Sequence, residues 1–94
     1  MIDDTIQRFI DHIIVERGIS KNTLGAYSRD LSQFAAFCEK KKLGDVSEFD
    51  EDFLLSYVTH VDKQQYAQST RIRKICVLRN FVKFLCFKKL ISII

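Results

Sequence analysis

From Ser69 to Lys89 the chain reads Ser-Thr-Arg-Ile-Arg-Lys-Ile-Cys-Val-Leu-Arg-Asn-Phe-Val-Lys-Phe-Leu-Cys-Phe-Lys-Lys. Its apolar positions (Ile72, Ile75, Cys76, Leu78, Phe81, Val82, Phe84, Leu85 and Phe87) cover most of a helical wheel. A helix that is apolar nearly all round packs on several sides, so this stretch predicts a central helix over about 69–89, capped by Ser69. The architecture then depends on what the rest of the chain can lay around it.

Three further segments carry the helical period. Phe53, Leu54, Tyr57, Val58 and Val61 predict a helix over about 51–62, with Asp50 as N-cap and Glu51 and Asp52 in the first turn, where carboxylates favour the dipole. Upstream, Ser20 predicts an N-cap for a helix reaching about Lys42, with Leu24, Tyr27, Leu31, Phe34, Ala35 and Cys38 on its buried stripe. Its opposite face holds Asn22, Gly25, Arg29, Ser32 and Ala36. Gly25 inside a helix costs about 1 kcal/mol relative to Ala, which either close approach of another surface or simple tolerance would explain. The first segment, about 3–17, repeats Ile6, Phe9, Ile10, Ile13 and Ile14, and Gly18 ends it. Residues 43–49 and 63–68 read as short connections. The tail, Leu90 to Ile94, is apolar and reads as a cut inside a longer chain.

Ninety-four residues fit one small domain, taken as residues 1–94. With 47% hydrophobic and 29% charged residues the chain is an ordinary globular one. The absence of proline and the presence of only three glycines argue against a loop-rich or many-stranded fold. No apolar run approaches the roughly 18 residues of a membrane span, so the chain is expected to be cytoplasmic with no membrane partner. Cys38, Cys76 and Cys86 show no paired spacing and make no ligand pattern with His12 and His60. They predict reduced, mostly buried thiols, with no cofactor or metal.

The formal charge of +3 hides an asymmetry. Residues 1–62 carry 7 Lys/Arg against 12 Asp/Glu, and residues 63–94 carry 8 Lys/Arg and no acid. A basic final third on an acidic remainder suggests a face built for polyanions, or else a solvated helix paired with acids from elsewhere in the fold. The positive charge is densest at Ser69-Thr70-Arg71-Ile72-Arg73-Lys74. Cations oppose the dipole at a helix start by roughly 0.3–1 kcal/mol each, and no acid lies within reach in sequence. An anion reverses the sign, because backbone N–H groups, hydroxyls and cationic heads then converge on a phosphate. Ser20-Lys21-Asn22-Thr23, with Arg29 two turns on, opens in a similar way, and Arg and Asn suit base edges in a major groove. The plainer alternative is ordinary capping by Ser20 and Ser69 with solvated cations alongside. Catalytic patterns are lacking: no glycine-rich phosphate loop, no nucleophile elbow and no paired histidines.

Two stretches carry a resemblance. Phe9 to Leu31 reads Phe-Ile-Asp-His-Ile-Ile-Val-Glu-Arg-Gly-Ile-Ser-Lys-Asn-Thr-Leu-Gly-Ala-Tyr-Ser-Arg-Asp-Leu. It resembles the opening of Xer-type tyrosine recombinases, where a helix ends in Glu-Arg-Gly-Leu-Ser and the next begins Asn-Thr-Leu-x-Ala-Tyr-x-x-Asp-Leu. Ser69 to Leu85 is similar to that family's second signature, a Ser/Thr start followed by Leu-Ser-Ala-Leu-Arg and aromatics. Gly25 stands where a larger residue is usual, and Cys76-Val77 where Ser-Ala is common. The family's Asn-Pro linker and its catalytic domain, with Arg, Lys, His and the Tyr nucleophile, lie outside these residues. None of Tyr27, Tyr57 and Tyr66 occupies the nucleophile's place.

The resemblance implies an all-α fold, a four-helix SAM-like orthogonal bundle acting as the core-binding domain of a tyrosine recombinase. It implies a domain without catalysis of its own that grips double-stranded DNA as half of a clamp, in a parent acting as a tetramer of protomers in recombination or integration. Lys21, Arg71, Lys74 and Lys83 are the candidates for phosphate contacts. Asn22, Arg29 and Arg73 are the candidates for groove contacts, with Thr23, Ser69 and Thr70 donating to the backbone. The alternative function is a SAM-like protein–protein interaction module.

Overall fold

The computed structural model describes residues 2–92. The helices are α1 (Ile2–Arg17), α2 (Lys21–Lys40), α3 (Glu51–Lys63) and α4 (Gln68–Phe87), with a single 3-10 turn at Val46–Glu48 and no strand among the described residues. The architecture is all-α, as expected, and consistent with a SAM-like bundle. The chain divides into two compact units, one ending at Val46 and the other beginning at Ser47. Of the apolar tail, Ile93 and Ile94 lie outside the described residues.

In the first unit α1 packs on α2. Phe9 and Ile13 are fully buried, while Ile14, expected on the same stripe, is 44% exposed. Gly18 takes φ +54° and its N–H donates to the Ile14 carbonyl at 3.1 Å, ending α1 where the sequence indicated. Helix α2 buries Leu31, Phe34, Phe37 and Cys38. It stops at Lys40, two residues short of the expected end, because Lys42 turns left-handed at φ +64°. The Lys42 N–H then reaches the Glu39 carbonyl and the Leu43 N–H the Cys38 carbonyl, both at 2.9 Å, a Schellman arrangement built on lysine instead of glycine.

In the second unit α3 packs on α4. Asp50 caps α3 as expected, its Oδ1 accepting from the Phe53 N–H at 2.7 Å. The connection before it is less open than it reads. Val46 and Phe49 are buried, and the Phe49 ring stacks on Phe53 with centroids 5.2 Å apart.

Helix α4 departs most from expectation. Its buried residues are Lys74, Val77, Leu78, Phe81, Phe84 and Leu85, one face at three- and four-residue steps. Ile72 and Phe87 lie on the other side, 49% and 73% exposed, and Cys76 is exposed with them. The helix is therefore buried along one face, not all round. The cysteines correct a second expectation, since Cys38 is buried, Cys76 exposed and Cys86 intermediate, each outside any disulfide. Burial, with a smaller contribution from the Asp3 charge, pushes the Cys38 thiol up from 9.0 to about 12, against a backbone hydrogen bond that lowers it.

Candidate nucleic-acid interface

The start of α2 is built around its cap. Ser20 has extended backbone, and its Oγ accepts from the Thr23 N–H at 3.2 Å while donating to Thr23 Oγ1 at 3.0 Å. One orphan N–H of the first turn is thereby satisfied from inside the chain. Lys21, Asn22 and Thr23 are all exposed around it. Two turns on, the exposed Arg29 folds back along the helix. A Cβ placed on Gly25 would meet Arg29 Nη1 at 3.7 Å, which is ordinary contact, and no other nearby group. Packing within the chain therefore does not require glycine at this position. Asn22, Gly25 and Arg29 form one face, as the spacing indicated.

The start of α4 is arranged differently. Its N-cap is Ala67, and no side chain caps it, so the expected capping by Ser69 is not what the structure holds. The helix begins two residues earlier than the serine implies, which carries Ser69 into the first turn, exposed and past the capping position. Lys63-Gln-Gln-Tyr-Ala contains no residue with a suitable cap at position 67, and Ala has no side-chain acceptor to offer. The first turn contains no acid.

The cations there are not uniform. Arg71 Nη1 donates to Asp62 Oδ1 at 3.3 Å, so an acid nine residues upstream supplies the partner that sequence proximity did not show. Lys74 is 5% exposed, and its Nζ lies 4.8 Å from the centroid of the Tyr66 ring, a cation–π contact. Arg73 is half-buried and engaged, and Thr70 is half-buried as well. Lys83 is exposed on the outer side of the helix, one turn beyond Arg79, which is exposed as well. Arg79 was absent from the sequence candidates. The spacing 72, 76, 79, 83 is the signal that places it on the outer face.

The sequence reading also missed Asp30, which is 3% exposed inside the apolar register of α2 and has a partner. Position 30 falls one turn after Tyr27 and one before Phe34, so the period alone marks it as inward-facing. Elsewhere in the first unit, a cleft of about 450 Å³ is lined in part by Ile2, Ala35 and Leu43 and also by Asp3 and Glu39, the wrong charge for a polyanion. No group of His, Cys, Asp or Glu able to hold a metal ion occurs among the described residues. No helix is long and apolar enough to cross a membrane.

Both helix starts fall within a recognised family pattern: residues 6–89 match the phage integrase N-terminal SAM-like domain. The chain is 32% identical over 80 residues to tyrosine recombinase XerC of Herpetosiphon aurantiacus, covering 85% of this chain and 26% of that protein. It is 33% identical over 92 residues to XerC of Leptospira interrogans, covering 97% of this chain and 29% of that protein. Against tyrosine recombinase XerD of Rhizobium meliloti the identity is 34% over 80 residues, 85% of this chain and 25% of that protein. The chain thus spans between a quarter and a third of the length of the relatives it matches. No solved structure matches it. With a match running from α1 to the end of α4, this chain belongs to the family of phage integrase N-terminal SAM-like domains.

Proposed function

We propose that this chain is the core-binding part of a site-specific tyrosine recombinase and that its own task is binding double-stranded DNA, not turnover. It serves as half of a clamp. The observation that carries the reading is the start of α4, a helix N-terminus without a side-chain cap or an acid, set among Ser69, Thr70, Arg71 and Arg73. The N–H groups of an uncapped first turn favour an anion, and a phosphate there would also draw on the neighbouring cations, Arg71 included once it leaves Asp62.

Lys21, Arg71 and Lys83 contact phosphates in this reading, while Lys74 contributes positive charge from beneath Tyr66. Asn22, Arg29 and Arg73 face the groove, with Thr23, Ser69 and Thr70 donating to the backbone. Cleavage and rejoining belong to a catalytic domain outside these residues, and the parent acts in the cytoplasm as a tetramer on two sites. Affinity of the chain alone is weak and steeply salt-dependent, because one half of a clamp makes few contacts.

The test is a titration of the chain against random-sequence duplex DNA across a range of salt. A log–log slope of several units supports the reading. The second reading, a protein-interaction module, draws on the exposed apolar side chains Val15, Leu55 and Phe87. Self-association with no DNA binding even at low salt would favour it and end the first.

A further inference from the structure

Two charges in the second unit sit at the unfavourable end of a helix. Asp62 lies in the last turn of α3, where the negative end of the dipole disfavours a carboxylate. Arg71 closes the first turn of α4, where the positive end disfavours a cation. Gln65, left-handed at φ +58°, helps turn the chain between the two helices. The pair then meets at 3.3 Å, and each charge offsets the other's conflict with its helix. Their side chains are 39% exposed for Arg71 and 51% for Asp62, so an incoming polyanion can reach the guanidinium and the carboxylate can leave it.

We propose that Asp62 is a tethered competitor for Arg71, an affinity-setting carboxylate that holds the guanidinium until a DNA phosphate displaces it. The inference rests on the DNA-binding reading above and adds a residue to it. A phosphate oxygen is an acceptor of the same kind as Asp62 Oδ1, so the two compete for Arg71 Nη1. Phosphate is the stronger ligand where several cations converge, and Asp62 stands against it with a single carboxylate. An exposed pair of this kind is weak, so the competition lowers DNA affinity by only roughly two- to fivefold. Asp62 thereby discourages loose binding by a single helix end and leaves tight binding to contacts made together.

The experiment compares the wild-type chain with Asp62→Asn, Arg71→Gln and the double variant, measuring binding to a random-sequence duplex between about 50 and 200 mM salt. Asp62→Asn is expected to bind roughly two- to fivefold more tightly at the lower salt, with the gain shrinking as salt rises. In the Arg71→Gln background the gain should disappear, which a general change in net charge would not produce. Asp62→Ser, a second neutralisation, should repeat the gain. Equal affinity of wild type and Asp62→Asn, or a gain that survives loss of Arg71, overturns the role of Asp62 and leaves the DNA reading standing. If neither wild type nor variant binds the duplex at low salt, the DNA reading fails and the role of Asp62 fails with it. The wild-type arm separates the two failures.

Discussion

Ser20 and Ser69 stand at the heads of two helices of twenty residues each, and both have lysine or arginine close by. Ser20 occupies the cap itself and closes a hydrogen bond to the Thr23 N–H. Ser69 sits inside the first turn, and Ala67 holds the cap position without a side-chain bond. The α2 start is therefore capped by a side chain of its own, while the α4 start has no side-chain cap and has Asp62 as partner for one of its cations. The units differ in the same sense. Residues 1–46 carry 7 basic and 7 acidic side chains, and residues 47–94 carry 8 basic and 5 acidic. A serine that caps a helix in one place and stands exposed inside the first turn in another differs by its register against the helix end.

The largest expected effect comes from reversing charge at the two starts. Arg71→Glu with Arg73→Glu should abolish measurable DNA binding, a loss of roughly 100-fold or more at low salt, whereas Lys21→Glu at the capped start should weaken binding without abolishing it. The double reversal also sets a carboxylate at position 71 beside Asp62, so any stability it gains from the helix dipole is offset by that repulsion, and melting should stay close to wild type. Equal losses at both starts would remove the distinction between them. Marked unfolding would show the arginines to be structural.

The serines test the same contrast through stability. Ser20→Ala should cost about 0.5–2 kcal/mol, since it deletes a cap, while Ser69→Ala should stay within about 0.5 kcal/mol. Chemical denaturation of the two variants measures this directly, and equal costs would mean that Ser69 caps after all. A smaller effect is expected at Gly25. Gly25→Ala should stabilise the chain by about 0.5–1 kcal/mol, because the added methyl meets Arg29 Nη1 at ordinary distance and nothing else.

The cysteines give the mildest test, one of access without any change of sequence. Cys76 should react with a thiol reagent in the native state, and Cys38 only after unfolding. Raising the pH from about 7 to about 9 should leave Cys38 unlabelled in the folded chain. Burial keeps the Cys38 thiol protonated up to about 12. The folded value lies above the ordinary 9.0, so this contribution to stability is whole below about pH 9 and fades as the pH climbs toward 12. Native labelling of Cys38 at the rate of Cys76 would contradict the packing of α2.

Part of the fold and of the candidate site was legible in the sequence. The cap at Asp50, the cap at Ser20 and the turn at Gly18 each follow from a residue whose chemistry suits one position relative to a helix end. The α2 face of Asn22, Gly25 and Arg29 followed from spacing alone. The helix ends at Lys40 and Phe87 fall two residues short of the expected Lys42 and Lys89, because a lysine in left-handed backbone, at φ +64° and +59°, has no compositional signal. The same holds for the start of α4, where serine drew attention away from an alanine.

The sequence by itself determined the helices, most of their bounds and the concentration of positive charge after residue 62, because period, capping chemistry and charge are local properties that need no partner. Tertiary structure alone decided which face of α4 is buried and that Lys74 lies under Tyr66 while Lys83 stands in solvent. It also decided that Arg71 meets Asp62 across nine residues. Those outcomes depend on where one helix ends relative to the next, and a wheel drawn on a single helix holds no information about the neighbour that covers it.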